Sequence, residues 1–464
     1  MKKTKHRIAI DIFRAMCIML AVIMTVCPVP AFAEETASEA ATDISEESEK
    51  GTVQVVFAAK DILQGDRINN ESLKIVEIPD LNLPENTVST LEDAVGKIAR
   101  KNIYADEYIY SGVLSKENVA RVNPDALVKP VGEVNGDFVI VTDYVRANTG
   151  LEVDYYVQQL IDLNPHRTIY FPAGEYIFGS PITTAADARY SVSLLLDDGA
   201  VIKASDSWRA KGELDALICL GGNNFKNDIA TPGSYYLLQG GVLDGNDKTS
   251  GVAIEGGRET VVRNLCIRNA KIGLNVRKAT NNTSSDCDFE DITIIGSNKP
   301  GSIGINNLAA DNNFTTIRIY DVQIGITGTS GGHIQDVFIV NNHPEKLYSG
   351  TVGITSTCSF ISGCYVENFE TAYQDPRSEL IECTAAWTSD LCKRQVFFNR
   401  TKKGTDPLSG CRAIFRAVEG AEIIFAKGNL VEHKSTMDVA FDESLVTNDS
   451  YKKLTGDNKI VWIK

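Results

Sequence analysis

Between Arg258 and Lys278 the chain carries Arg258, Arg263, Arg268, Lys271, Arg277 and Lys278 against a single acid, Glu259. A guanidinium donates two parallel hydrogen bonds, so such a strip suits carboxylate or phosphate groups. Just beyond it stand Asp286, Asp288, Glu290 and Asp291. With the asparagines nearby, such a cluster has the look of a binding site. The same arginines and acids could equally pair with each other and do no chemistry. Metal chemistry finds less support. Cysteines 219, 266, 287, 358, 364, 383, 392 and 411 show no CxxC spacing, so no zinc site is expected.

Charge bounds the partners. The 464-residue chain has a net charge of −15, which argues against general binding to nucleic acid or anionic membrane. A polyanionic substrate would need the charge to be reversed locally. Lys2, Lys3, Lys5, Arg7 and Arg14 precede an apolar run from Ala15 to Val26 and the segment "PVPAFA" ending at Ala33. That order predicts a secretory signal over residues 1–33, and the run is short for a membrane span. Cleavage there would leave an exported, bacterial, soluble chain with no membrane contact. A signal retained as an anchor is the alternative. Residues 34–50, rich in Glu and Ser, read as an acidic disordered linker.

The elements that would position the chemistry begin at residue 51. "TVQVVFAAKDILQGDRINNESLKIVEIP" alternates apolar and polar residues and breaks at "QGD" and "NNES", as short strands with tight turns do. "GKIARKNIYADEYI" repeats that strand–turn–strand order. After a linker over 118–137, short runs recur with loops of varying length: "NLCIRN", "DITIIG", "TIRIYD", "DVFIVN" and "GCYVEN". Their first core positions are Leu265, Ile292, Ile317, Val337 and Cys364. Each is followed by a second run, "IGLNV", "IGINN", "IGITG", "VGITS" and "TAYQD". Units of this kind bury their apolar face only by stacking, which predicts coils of a parallel β-helix over 138–464. The stretch "FEDITIIGSNKPGSIGINNLAAD" is then one rung of that stack. "VQQLIDL" (157–163) would cap the open N-terminal end. The apolar residues flanking the glycine of "IGI" are expected to point inward. The next outward positions are then Asn275, Asn306, Thr327, Thr355 and Gln374, and Arg268, Arg277 and Arg318 also face out. Cys364 and Cys383 recur at one position, as stacked thiols or a bridge.

Two resemblances follow from these segments. "AAKDILQGDRINNESLKIVEIP" with "AVGKIARKNIYADEYIYSGVL" resembles the SAF module, a small β-clip, here placed at 51–117. The resemblance implies a binding or assembly accessory through which a protein partner could dock. "TIYFPAGEYIFGSPI", "VSLLLDDGAVIKASDSW" and "LLQGGVLDGN", in that order, resemble the pectin-lyase-like superfamily, especially its polygalacturonase-like members. The implied fold is an all-β, right-handed parallel β-helix, with Asp197, Asp198 and Asp244 in shared turns.

The implied function is a secreted or cell-surface protein, pectate lyase- or polygalacturonase-like, acting on an acidic polysaccharide or wall glycan. Its catalytic signature is not matched: the outward positions hold no acid, "GSIGI" stands where Asn-Thr-Asp-Gly-Ile is expected, and His333 lies outside the expected glycine frame. A lyase would cast Arg277 as base, with Ca²⁺ held by Asp286 and Asp288. The alternative is a non-catalytic adhesin or assembly component presenting a glycan-binding face. The candidate substrate-binding residues are Arg268, Asn275, Arg277, Asn306 and Arg318, with the catalytic residues left open.

Overall fold

The computed structural model describes residues 52–79, 86–116, 121–184, 191–211, 215–221, 235–277, 284–328, 331–356, 360–374, 379–399, 406–427, 430–431, 436–440, 442–453 and 459–463. The expected signal segment, the acidic linker, the first residues of the second linker and Lys278 lie outside them.

Between residues 168 and 427 each coil lays one short strand on each of three parallel sheets. Sheet 1 runs from Phe138–Ile140 to Leu430–Val431, sheet 2 from Gly174–Phe178 to Lys459–Ile463, and sheet 3 from Ile182–Thr183 to Glu422–Lys427. The chain visits them in the order 1, 2, 3 and begins again. The coil of the "FEDITIIGSNKPGSIGINN" segment supplies Asp288–Glu290, Thr293–Ile295 and Ile303–Asn307. Its neighbour stacks in register on all three sheets, pairing Phe289 with Phe314, Ile294 with Ile319, and Ile305 with Ile326. This is the expected parallel β-helix.

Period-two alternation fills the tube. Ile267, Ile294, Ile319 and Ile339 form one inward column on sheet 2, all essentially buried. Leu265, Ile292, Ile317, Val337 and Cys364 form another beside it. Each such side chain contributes roughly 1.5–3 kcal/mol by leaving water. The N-terminal end is closed by the helix Asp154–Leu163 (α1), whose Tyr156, Val157, Leu160 and Ile161 join the same core.

One expectation about sheet 3 is corrected. Leu274, Ile305, Ile326 and Ile354 are buried, but Ile272, Ile303, Ile324 and Val352 before each glycine are only half-buried. The pairing passes over Gly273 and Gly304, so the strand bends there and the glycine, not the preceding residue, faces the core. A Cβ on Gly304 would sit 2.6 Å from the Gly325 carbonyl oxygen and 2.7 Å from Ile319 Cγ2. Glycine therefore fits this corner at Gly304, while Ala372 and Phe397 occupy the same column in later coils.

The corner between sheets 1 and 2 explains the surplus of Asn and Asp. Asn264, Asp291, Thr316, Asp336, Gly363 and Glu382 occupy it in successive coils, all with φ between 49° and 62°. Asn, Asp and Gly tolerate this left-handed conformation best. Asp286 and Asp291 are both such turn residues. Half of the acidic cluster is thus turn chemistry.

Residues 52–116 build a separate small core. Thr52–Ala58 pairs antiparallel with Leu73–Pro79, and Ile98–Ala99 with Leu114–Ser115. Val56, Ala58, Ile62, Ile68, Ile103 and Ile109 pack between them.

Candidate functional site

The five residues expected to bind substrate divide between two faces. Arg268 and Arg318 stand on sheet 2, while Asn275, Arg277 and Asn306 stand on sheet 3. All point outward, as the alternation required, but they do not converge.

Most of the basic strip is neutralised by acids from adjoining coils. Arg268 Nε donates to Asp244 Oδ2 at 2.8 Å, and Asp244 is buried. Arg277 Nη1 lies 3.0 Å from Oε1 of Glu255, which is wholly buried. Arg258 pairs with Asp286 at 2.8 Å and Lys271 with Asp215 at 3.0 Å. Arg263 Nε donates to Gln239 Oε1. Asn306 Nδ2 donates to Asn275 Oδ1 at 3.0 Å, so these two form an amide ladder between coils. In-register pairing makes that ladder a means of satisfying both side chains at once. Asp288 accepts from Asn313 Nδ2 on sheet 1. The residues cast for a lyase are therefore each engaged elsewhere. Among the described residues no group of three or more His, Cys, Asp or Glu could hold a metal ion.

Arg318 differs. It is exposed and forms no ion pair among the described residues. It lines a depression of about 300 Å³ with Thr316, Tyr320, Asp336 and Phe338, at the corner between sheets 1 and 2. Phe338 is 39% exposed and stacks on Tyr365 of the following coil, with ring centroids 4.6 Å apart and planes inclined by 9°. The register places Arg318 one coil before Phe338 and Tyr365 one coil after. The ring face turned away from Tyr365 thus borders the depression. Tyr365 Oη donates to Glu367, which also accepts from Thr388, and burial followed by this hydrogen bond raises the Tyr365 pKa. The stacked ladder is therefore braced from beneath. Thr316, a β-branched residue held at φ 56°, forms one rim.

Arginine, acid, hydroxyl and aromatic face together can do one thing well. An exposed ring can cover an apolar surface, a guanidinium such as Arg318 can donate to a carboxylate or hydroxyl, and Asp336 and Thr316 can accept from hydroxyls. Alternation in the sequence placed Arg318 on the outer face. It did not show that the acid partners of Arg268 and Arg277 would leave Arg318 as the available cation.

His333 is exposed on sheet 1, tilted against Phe360 with centroids 5.4 Å apart, and takes no part in the depression. Asp197 and Asp244 serve turns, accepting from Gly199 N and Asn246 N. Cys364 and Cys383 are free and buried in one column with Cys411.

Comparison with known proteins assigns the N-terminal unit. Its antiparallel pairs and closed core span the segment that matches a described family, the SAF domain, over residues 53–111. Residues 53–111 are a SAF domain. The SAF domain ends before the first coil, and the linker residue Arg121 touches both regions: its Nε lies 3.1 Å from Asp66 Oδ1 and its Nη1 3.8 Å from Glu152 Oε1. No curated protein matches the chain. Solved structures similar to it include a GH87 alpha-1,3-glucanase catalytic unit from Streptomyces thermodiastaticus, at 13% identity and TM-score 0.33, covering 89% of this chain and 85% of that one. Another is a family 28 exopolygalacturonase from Yersinia enterocolitica, at 12% identity and TM-score 0.35, covering 78% and 77%. A third is a GH87 alpha-1,3-glucanase catalytic domain in complex with tetrasaccharides, at 10% identity and TM-score 0.36, covering 91% and 87%. At such scores these likenesses have no bearing on what this chain does.

Proposed function

We propose that this chain is an exported carbohydrate-binding protein whose β-helix holds an acidic polysaccharide along sheet 2, centred on Arg318 and Phe338. The observation that carries this reading is the depression itself: an arginine with no ion pair among the described residues and a part-exposed aromatic ring, one coil apart, within about 300 Å³. Among the described residues lining it, Asp336 is the one carboxylate, whereas glycoside hydrolysis of the usual kind employs two. Binding needs no second acid.

The test is affinity electrophoresis or calorimetry with polygalacturonate and neutral glucans, on the full chain and on Phe338→Ala and Arg318→Gln. A lost aromatic contact of about 1 kcal/mol weakens binding about fivefold. Phe338→Ala should therefore weaken every ligand, and Arg318→Gln the uronate alone. Equal affinity in all three proteins removes the proposal.

Hydrolysis is the second reading, favoured by one feature. Asp291 and Asp336 occupy the same corner column two coils apart, which corresponds to about 9.6 Å between backbones. Inverting pairs work near that separation. New reducing ends from wild-type protein, abolished in Asp336→Asn and Asp291→Asn, would establish it.

A further inference from the structure

A second depression lies at the opposite edge of sheet 2. It measures about 360 Å³ and sits where sheet 2 turns into sheet 3, with Asp247, Lys271, Ile272, Ser297, Lys299 and Pro300 in its wall. Lys299 follows the strand Thr293–Ile295, in the coil just before that of Arg318. Ile295, 39% exposed, pairs with Tyr320, which lines the depression at Arg318. An apolar ridge one three-residue strand wide, roughly 10 Å, therefore joins the two depressions.

Their chemistry differs. In the second depression each ammonium group has its own carboxylate: Lys299 Nζ lies 2.8 Å from Asp247 Oδ2, and Lys271 Nζ lies 3.0 Å from Asp215 Oδ2. Asp215 Oδ1 accepts from Trp208 Nε1 at 2.8 Å and Thr249 Oγ1 at 2.7 Å, which fixes the Lys271 pair in place. An ammonium with one acceptor keeps spare donors, and a carboxylate with one donor keeps spare lone pairs. Such pairs meet hydroxyls, which both donate and accept, without adding net charge. A carboxylate gains little from charge already balanced, and it would meet Asp247 as a like charge.

We infer that the second depression is a subsite for an uncharged sugar, so that the ligand is an acidic heteroglycan with neutral sugars interspersed among its uronates. The inference rests on the proposed binding of a uronate at Arg318. From Arg318 and Phe338 the glycan crosses Tyr320 and Ile295. The hydroxyls of its neutral residue then reach Asp247, Lys299 and Ser297, and its C–H face lies on Ile272 and Pro300.

The experiment compares, by calorimetry on the full chain, polygalacturonate with the same polymer after part of its carboxylates has been reduced to alcohols. Backbone and linkage are then unchanged. Wild-type protein is expected to bind the mixed polymer about fivefold more tightly. Asp247→Asn removes the like charge and releases Lys299, so it should strengthen binding of the fully acidic polymer and erase the preference. Lys299→Met leaves Asp247 unopposed and should widen it. The two side chains are 44% and 60% exposed, so neither substitution disturbs the core. A merely structural pair would shift both polymers together. Equal or tighter binding of the fully acidic polymer by wild type overturns the inference, as does a preference that does not move in these opposite senses. In either case the site at Arg318 stands if Phe338→Ala and Arg318→Gln still weaken binding. If those two variants change nothing on either polymer, the reading at Arg318 falls and this one falls with it.

Discussion

Replacing Gly304 by alanine tests whether the glycine column sets the distance between coils. The added Cβ would meet the Gly325 carbonyl oxygen at 2.6 Å and Ile319 Cγ2 at 2.7 Å and Cδ1 at 3.1 Å. The carbonyl belongs to backbone already paired in register, so it cannot swing away as a side-chain end could. Overpacking of this kind costs about 1–3 kcal/mol. Alanine restricts the unfolded chain and returns about 0.4–1 kcal/mol. The net expectation is destabilisation of about 1–2 kcal/mol. For a unit of roughly 300 residues, unfolding entropy near 2.1 cal/mol/K per residue turns this into a fall in Tm of about 2–3 °C. Gly132→Ala is the control, since its Cβ would meet nothing within 4 Å. Circular dichroism melts of the three proteins, with urea midpoints alongside, give the answer. An unchanged or higher Tm for Gly304→Ala would refute the reasoning, because the tube would then widen freely.

Two neighbouring carboxylates should respond to pH in opposite senses. Burial favours protonation of Glu152, but Arg209, 2.6 Å away, with Ser205 and Arg121, holds its pKa below the ordinary 4.5. Its contribution to stability is therefore present above pH 4.5 and lost as pH falls through the folded value. Glu152→Gln should lower the urea midpoint at pH 7, with the difference closing toward pH 3. Burial raises the Asp154 pKa above 3.8 despite hydrogen bonds from Ser180 and Gly179. The stability linked to that shift is present below pH 3.8 and fades as pH rises through the folded value, so Asp154→Asn should compare best with wild type at neutral pH. A common sign for both variants across the range would contradict this. Thr316→Gly should relieve a left-handed β-branched residue, an unfavourable conformation by about 1–2 kcal/mol, and raise the urea midpoint. A fall would mean that the threonine side chain holds its turn.

The stacking register was legible in the sequence because inward positions repeat in every coil while length variation is confined to loops. Leu265, Ile292, Ile317, Val337 and Cys364 could be aligned by eye, and each is buried. The SAF domain was legible from the order of its strands and turns. The bend at Gly273 and Gly304 was not, because strict alternation puts Ile272 and Ile303 inside and nothing in "IGI" marks the residue that breaks the phase. Outward orientation of Arg268, Arg277 and Arg318 was likewise readable. Their availability was not, since Asp244 and Glu255 lie 24 and 22 positions away in sequence and approach only through the coil. The acidic cluster misled for a different reason: left-handed corner positions recruit Asp and Asn for their backbone tolerance, and sequence alone does not separate that use from chemistry.

Coils of unequal length make the same three strand contacts, because the extra residues fall between the strands in sequence. A whole turn of the cylinder is thus an exchangeable part. Tandem duplication or loss of one would move the outer surface by a single step of about 4.8 Å without disturbing the packing on either side. Over generations such a chain could lengthen its gripping surface one notch at a time until it matched the repeat of whatever polymer lies along it.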